Sequence, residues 1–126
     1  MVGWATKVDD DRRCGLVAIV SDSGQVIAHA GFERDDQCPD RAEFATVIAD
    51  GYQGRGLGTI LLGRLAEAAD RAGVARLTGE VLADNYRMLR MLCHSGFPVS
   101  FRRTCGVVLV EVPTSLDRGA GTVRAA

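Results

Sequence analysis

Three glycines at alternate positions, Gly54, Gly56 and Gly58, separate an apolar, strand-like segment from an amphipathic, helix-like one. Glycine lets the backbone approach an anion closely, and the first N–H groups of the following helix point toward such a ligand with the positive end of the helix dipole. The spacing differs from the G-x-G-x-x-G pattern of dinucleotide sites, and the Lys-Ser/Thr pair of a P-loop is absent from the sequence. This glycine loop, residues 53–58, therefore predicts a site for a phosphorylated ligand and argues against NTP hydrolysis.

The 126 residues suffice for one domain, and 47% apolar with 25% charged residues is typical of a soluble globular protein. The formal net charge of −1 argues against a broad surface for nucleic acid or anionic membrane. No apolar run is long enough to span a bilayer, and Met1–Lys7 lacks the apolar core of a signal peptide, so a cytoplasmic location is expected. The scattered Cys14, Cys38, Cys93 and Cys105 predict reduced, mostly buried thiols and no metal site.

Hydrophobic periodicity divides the chain into elements in the order β-β-β-α-β-α-β-β, which is typical of one α/β domain with a mixed sheet. The predicted strands are 14–20, 26–32, 42–49, 74–82, 99–104 and 105–112. The first helix follows the glycine loop, and its expected buried positions are Leu61, Leu65, Ala68, Ala69 and Ala72. The second helix is expected to have Asp84 as its N-cap. The predicted domain spans residues 1–112, and residues 113–126 are expected to form a flexible tail or linker.

Glu43 is the candidate proton acceptor in the strand that precedes the glycine loop. The period of two puts Glu43, Ala45 and Val47 on one face of this strand, so the carboxylate is expected on an otherwise apolar face. Poor solvation makes a carboxylate a better proton acceptor, which suits a general base. From the residues alone, a glutamate paired with Arg41 or Arg34 remains the alternative.

Gln53, Gly56 and Gly58 form the pattern Gln-x-x-Gly-x-Gly, which resembles the pyrophosphate-binding loop of the GNAT superfamily of N-acetyltransferases. The resemblance covers roughly residues 12–112. The segments Ala42-Glu43-Phe44-Ala45 and Asn85-x-x-Met88-Leu89 resemble, more narrowly, the catalytic domain of bacterial Pat-type protein lysine acetyltransferases. The implied fold is a GNAT-like mixed sheet with flanking helices. Because only about a dozen residues precede the first predicted strand, the usual N-terminal strand and helices are expected to be missing.

The resemblance implies acetyl-CoA as co-substrate, no metal, and Glu43 as the catalytic base. The backbone amides of the glycine loop would bind the pyrophosphate. The exposed backbone of residues 45–47, in the strand before the loop, would pair with the pantetheine amides like an added strand. Asn85 would contact the pantetheine or would simply cap the second helix. Arg87 and Arg90 could also meet phosphates, although arginine on a helix face is more often only solvated. The cofactor-binding residues predicted on this basis are Ala45, Thr46, Val47, Gln53, Gly54, Arg55, Gly56, Leu57, Gly58 and Asn85.

The implied reaction is transfer of an acetyl group to a lysine of a protein substrate, an acyl-CoA synthetase in the Pat-type group. No general acid is assigned, because Leu92 stands where many relatives have a tyrosine. The alternatives are an acetyltransferase of small-molecule amines, a non-catalytic acyl-CoA-sensing regulatory domain, and a nucleotide-binding domain that uses the loop for ATP. The expected partners include a fused regulatory domain and a second copy in a homodimer, but neither nucleic acid nor membrane.

Overall fold

The computed structural model describes residues 2–10, 13–20, 22–54 and 56–115, with only the backbone for Val2 and for residues 4–10. Seven strands form one mixed sheet in the order β1-β2-β3-β4-β5-β7-β6. The strands are β1 (Val2–Asp10), β2 (Arg13–Val20), β3 (Val26–Arg34), β4 (Arg41–Ile48), β5 (Arg76–Leu82), β6 (Ser100–Thr104) and β7 (Val107–Pro113). The helices are α1 (Leu57–Arg71) and α2 (Tyr86–Cys93). This architecture confirms the predicted fold class.

Strand β1 corrects the expectation that no strand precedes the segment beginning at Cys14. It pairs antiparallel with β2, from Val2 opposite Val20 to Asp10 opposite Arg13. Residue types that favour strands do alternate in Val2–Val8, but polar residues and a glycine between them weaken the hydrophobic signal. Only residues 11 and 12 separate β1 from β2, so the helices expected to be missing have no room between these two strands.

Both helices lie on one face of the sheet, and α1 packs against β2, β3, β4 and β5 as well as against α2. The apolar positions of α1 recur every three to four residues, so they form one buried side. The predicted Leu61, Leu65 and Ala69 are buried, but the prediction missed Leu62 and Ala66 and wrongly included the exposed Ala72. This layer is the core of the domain.

The other face of the sheet, here called the open face, carries no helix within the described ranges. Its side chains come from alternate positions of the central strands, as the strand registers require. Val47 and Leu82 are more than 60% exposed there, at 64% and 63%. The open face carries His29, Glu33, Glu43, Ala45, Val47, Thr78, Glu80, Leu82, Leu109 and Glu111.

The folded part of the chain extends past Val112, the predicted end of the domain. Thr114 is only 5% exposed, its hydroxyl donates a hydrogen bond to the Val74 carbonyl over 2.6 Å, and its amide donates to the Ala75 carbonyl over 3.0 Å. These bonds tie the end of β7 to the start of β5. The rest of the predicted tail, residues 116–126, lies outside the described residues.

The cysteines are free thiols, but they are not mostly buried as predicted. Cys14 is buried, Cys38 is partly buried, and Cys93 and Cys105 are exposed. The thiol of Cys38 donates to an Asp40 carboxylate oxygen over 3.0 Å, and this hydrogen bond raises the pKa of Cys38. None of the described helices is long and apolar enough to cross a membrane.

Replacing Thr114 with valine tests whether this residue belongs to the core. Thr114→Val removes a buried hydroxyl that satisfies the Val74 carbonyl, so we expect a loss of about 1–2 kcal/mol in the free energy of unfolding. Urea denaturation measures this loss. Thr104→Val, the same change at an exposed position of β6, is the matched control and should change stability by less than about 0.5 kcal/mol. Equal effects of the two variants would contradict the extended boundary.

Candidate functional site

The glycine loop joins β4 to α1 at the carboxyl end of β4. A short 3₁₀ turn, Asp50–Tyr52, leads away from the strand, and Gly56 then occupies the N-cap position of α1 with φ 80° and ψ 0°. Gly54 also has a positive φ, 78°. A Cβ atom disfavours this left-handed conformation, so the backbone geometry requires glycine at these two positions.

Gly58 is needed for a different reason. It is buried inside the first turn of α1, and a Cβ atom there would lie 3.2 Å from Ile48 Cδ1 and 3.2 Å from Met91 Cγ. Its small size therefore lets α1 pack closely against the end of β4 and against α2. The third glycine of the motif serves helix packing, while its backbone amide stays at the start of the helix.

The N-terminus of α1 is free of side-chain caps in the described part of the chain, and its first turn contains no acidic residue. Leu57 and Gly58 are the first two helical residues, and the side chain of Leu57 is buried in the core. Because the first amides of a helix have no intrahelical acceptor and carry the positive end of the dipole, they suit an anion. This agrees with the predicted phosphate site. Arg55, predicted to add a charge here, lies outside the described residues.

Gln53 differs from the prediction, because its backbone amide is used within the protein. That amide donates to the Asp50 carbonyl over 3.4 Å. The side-chain nitrogen Nε2 donates to the Ile48 carbonyl over 3.0 Å, and the side-chain oxygen Oε1 accepts a hydrogen bond of 2.6 Å from Arg87 of α2. Gln53 thus fixes the loop to its surroundings, and Arg87, on which the sequence analysis did not rely, lies beside the loop.

Strands β4 and β5 are parallel and pair only where Arg41–Glu43 face Arg76–Thr78. Beyond this point β4 continues to Ile48 and β5 to Leu82 without pairing with each other. On its other side, β4 pairs with β3 from Ala42 to Ile48. One edge of the segment that contains Ala45, Thr46 and Val47 is therefore available to a ligand that hydrogen-bonds like a strand.

Thr46 is in the middle of this segment and carries a polar atom without a described partner on the helix side of the sheet. Its hydroxyl oxygen is buried and has no hydrogen-bond partner among the described residues. Most buried polar atoms in proteins are paired, and an unpaired one costs free energy. The residues present therefore fit a ligand that carries amide groups, as a pantetheine arm does.

Glu43 is the last residue of β4 that pairs with β5, and it lies opposite Thr78. Its neighbours Ala42 and Phe44 are buried on the helix side, whereas Glu43 is exposed on the open face. The expectation that Glu43 lies on a poorly solvated, apolar face is therefore wrong. The alternation of residues defined two faces of β4, but it did not determine which face the helices cover.

Three carboxylates form a row across the open face. Glu33 lies opposite Glu43, Glu43 opposite Thr78, and Thr78 opposite Glu111. Arg13 pairs with Glu33 over 3.0 Å, and Arg76 pairs with Glu111 over 3.4 Å. Glu43, in the middle of the row, has no ion pair with any described residue. Because arginines already neutralise Glu33 and Glu111, Glu43 is the carboxylate of this row that can attract a further cation.

The two arginines considered as structural partners of Glu43 bind elsewhere. Arg41 pairs with Asp35 over 3.6 Å, and the Arg34 guanidinium donates to the carbonyls of Pro39 and Ala72. The salt-bridge alternative is therefore wrong for these arginines. The carboxylate of Glu43 lies in a groove on the open face. This groove is also lined by residues that the sequence did not indicate, among them Thr78, Glu80, Arg102, Leu109 and Glu111.

Asn85 is the N-cap of α2, and its side-chain oxygen accepts a hydrogen bond from the Met88 amide over 3.2 Å. Asp84, the predicted cap, does not have this role. Asn85 is exposed, and its side-chain nitrogen has no bond to a described residue, so it can still donate to a ligand. Within residues 2–10, 13–20, 22–54 and 56–115, no three His, Cys, Asp or Glu side chains are grouped as metal ligands.

This geometry joins an uncapped helix N-terminus after a glycine loop to a strand edge that lacks a partner. A family model described as the acetyltransferase (GNAT) family matches residues 3–97. The chain belongs to this family. The GNAT resemblance seen in the sequence is thereby confirmed, and GNAT acetyltransferases use acetyl-CoA.

Pat-type proteins are among the relatives of this GNAT domain. It is 42% identical over 89 residues to acetyltransferase Pat of Mycolicibacterium smegmatis, a match that covers 71% of this chain and 26% of the relative. The GNAT domain of S. lividans PAT superposes with a TM-score of 0.74 at 31% identity, covering 85% of this chain and 64% of that one. A cAMP-binding acyltransferase from Mycobacterium smegmatis has a TM-score of 0.73 at 34% identity, covering 89% and 34%. The chain thus spans only part of each relative.

The requirement for glycine at the N-cap of α1 can be tested by alanine substitution. Gly56→Ala forces a Cβ into a left-handed backbone, so we expect a loss of about 1–2 kcal/mol in the free energy of unfolding. Chemical denaturation followed by circular dichroism measures it. Gly51→Ala is the control, because Gly51 has no positive φ and open space around its Cβ position. A Gly56 variant as stable as the Gly51 variant would contradict the requirement.

Removing the hydroxyl of Thr46 should not destabilise the protein, which is unusual for a buried polar group. Thr46→Val removes an oxygen that has no partner in the described structure, so the free energy of unfolding should stay equal or rise by up to about 1 kcal/mol. Binding of acetyl-CoA should weaken about three- to tenfold if the hydroxyl bonds the ligand. Thermal denaturation and titration calorimetry measure the two effects. A clear loss of stability would show that the hydroxyl already has a partner in the protein.

Proposed function

We propose that this GNAT domain transfers an acetyl group from acetyl-CoA to a lysine side chain of a protein, with Glu43 as the general base. The lysine nitrogen attacks the thioester carbonyl carbon, a C–N bond forms, and the C–S bond breaks to release the CoA thiolate. The observation that carries the proposal is the position of Glu43 at the end of the β4–β5 pairing, on the strand that leads to the glycine loop.

The proposed ligand runs along β4. Its diphosphate binds the first amides of α1, and its pantetheine amides pair with Ala45–Val47, as the free edge of β4 allows. Ile48 and Glu43 are five strand positions apart, which corresponds to about 17 Å at the usual rise of a strand. An extended pantetheine arm has a comparable length, so its thioester end would lie beside Glu43.

Glu43 would take the proton that makes lysine unreactive. A free lysine has a pKa of about 10.4, so at neutral pH almost all of it is ammonium and cannot attack. Glu43, which has no ion pair with a described residue, attracts this cation and accepts its proton. The CoA thiolate leaves without a protein acid, because a thiol pKa of about 8.5 lets water reprotonate it near neutral pH. Leu92 is fully buried and plays no part.

An acyl-CoA synthetase is the protein acceptor that we propose, on the basis of the Pat-like segments around Glu43 and Asn85 and of the 42% identity to acetyltransferase Pat. The open, polar face beside Glu43 suits a macromolecular acceptor better than a small amine, which would be held more firmly in a deep pocket. A fused regulatory domain is part of the proposal because one relative is a cAMP-binding acyltransferase. A homodimer and a cytoplasmic location stay predictions.

A non-catalytic acyl-CoA-sensing domain is the second candidate, and the cAMP-binding relative favours it. Such a domain would use the same loop and the same strand edge, but it would not need a carboxylate beside the thioester. The two proposals agree on binding and differ on transfer. Activity with a purified acyl-CoA synthetase therefore separates them.

Glu43→Gln tests the proposed base. We expect kcat for lysine acetylation to fall about 100-fold or more, because positioned proton transfer contributes at least that factor. The dissociation constant for acetyl-CoA should change less than about twofold, since the amide keeps the size of the side chain. Mass spectrometry of the acetylated synthetase and titration calorimetry measure these quantities. Glu67→Gln on the exposed side of α1 is the control and should retain full activity.

Three outcomes would contradict the proposal in different ways. Acetyl-CoA binding without transfer to proteins or amines would support the sensing domain. Transfer to free amines but not to proteins would support a small-molecule acetyltransferase. Tighter binding of ATP than of CoA would support a nucleotide-binding domain.

A further inference from the structure

Arg87 lies in the first turn of α2 and contacts the glycine loop from outside. Its Nη1 donates a hydrogen bond of 2.6 Å to Oε1 of Gln53, which is 34 positions earlier in the chain. Asn85 caps the same turn through the Met88 amide, so the start of this helix is well defined. The contact joins a charged donor to a neutral acceptor, and such hydrogen bonds are stronger than neutral ones.

Gln53 connects Arg87 to the end of β4 through its own hydrogen bonds. Its Nε2 donates to the Ile48 carbonyl over 3.0 Å and to an Asp50 carboxylate oxygen over 3.3 Å. Both ends of the Gln53 amide are therefore used, one by α2 and the other by the segment that leaves the strand. The side chain has no freedom to rotate without losing at least one of these bonds.

α2 also touches the other end of the glycine loop. The closest atoms to a Cβ at Gly58 belong to Ile48 and to Met91, which lies one turn after Arg87 on α2. The first and last residues of the loop are thus both held against α2, one by a hydrogen bond and the other by apolar packing. Such support holds both ends of the loop before any ligand arrives.

We propose that Arg87 is a positioning residue of the diphosphate-binding loop and acts through Gln53. The inference rests on the proposed function, because it assumes that the loop binds the diphosphate of acetyl-CoA. A preorganised loop loses less conformational entropy on binding, so removing its support weakens binding of the diphosphate. The effect is largest for ligands that carry the diphosphate, because the contact of Arg87 reaches the loop and only Ile48 at the end of β4, not the Ala45–Val47 segment proposed to pair with the pantetheine arm.

The chain offers a matched control on the same helix. Arg90 is also exposed and also on α2, but its side chain makes no hydrogen bond or ion pair with the described residues. Arg87→Met and Arg90→Met therefore remove the same charge from the same helix, and only the first removes the bond to Gln53. Gln53→Met keeps the arginine but removes that bond together with the bonds of Nε2 to Ile48 and Asp50.

The experiment compares binding of acetyl-CoA with binding of S-acetylpantetheine, which has the same thioester arm but no diphosphate. We expect Arg87→Met to raise the dissociation constant for acetyl-CoA about five- to tenfold and that for S-acetylpantetheine less than about twofold. Gln53→Met should have an effect of the same kind and at least the same size, and the double variant should bind no more weakly than Gln53→Met alone. Arg90→Met should leave the dissociation constants of both ligands unchanged. Titration calorimetry serves for acetyl-CoA, and NMR titration for the weaker ligand.

Several results would overturn the inference. An equal loss for both ligands would make Arg87 a general structural residue, and additive losses in the double variant would mean that it does not act through Gln53. If the Arg87 and Arg90 variants lose equal affinity for acetyl-CoA, the loss comes from removing a positive charge and not from removing the bond to Gln53. These results all require an unmodified chain that binds acetyl-CoA. If the unmodified chain binds neither ligand, the proposed function itself fails, and the inference falls with it.

Discussion

The early divergence of β4 from β5 is the constraint on which the site depends. Parallel strands that stayed paired to their ends would satisfy both edges of β4 and leave nothing for a ligand to bind. Here the pairing ends at Glu43 and Thr78, so the remaining half of β4 keeps one free edge, an unpaired Thr46 hydroxyl and a carboxylate at the point of separation. The glycine loop lies at the far end of the same free edge. A single departure from regular sheet structure thus lines up every part of the proposed ligand path.

Much of this could be predicted from the sequence, because local signals in the chain are strong where the ligand path begins. Gly54 and Gly56 have the positive φ angles that a tight strand-to-helix turn demands, and glycine is the residue that adopts them at least cost. The period of α1 likewise revealed its buried side, although Leu62 and Ala66 showed that this side is wider than the strictest pattern suggests.

Other features depend on tertiary contacts that periodicity does not reveal. In β4 both alternating faces carry small or apolar residues, so only the position of α1 decides that Phe44 is buried and Glu43 exposed. The bond between Arg87 and Gln53 joins two distant segments, and no local pattern relates them. Strand β1 was missed because a strand at the edge of a sheet needs little hydrophobic character, so its sequence signal is weak.

One-sided coverage of the sheet has a consequence for how such a domain can change over time. Along each central strand, alternate positions have different surroundings. One set packs against the helices, and the other faces away from them. Residues such as Glu33, Glu80 and Leu109 belong to the second set, and their side chains lie on the side of the sheet away from the helices. The chemical character of the surface beside Glu43 can therefore change between related domains, while the helix-bearing side preserves the fold.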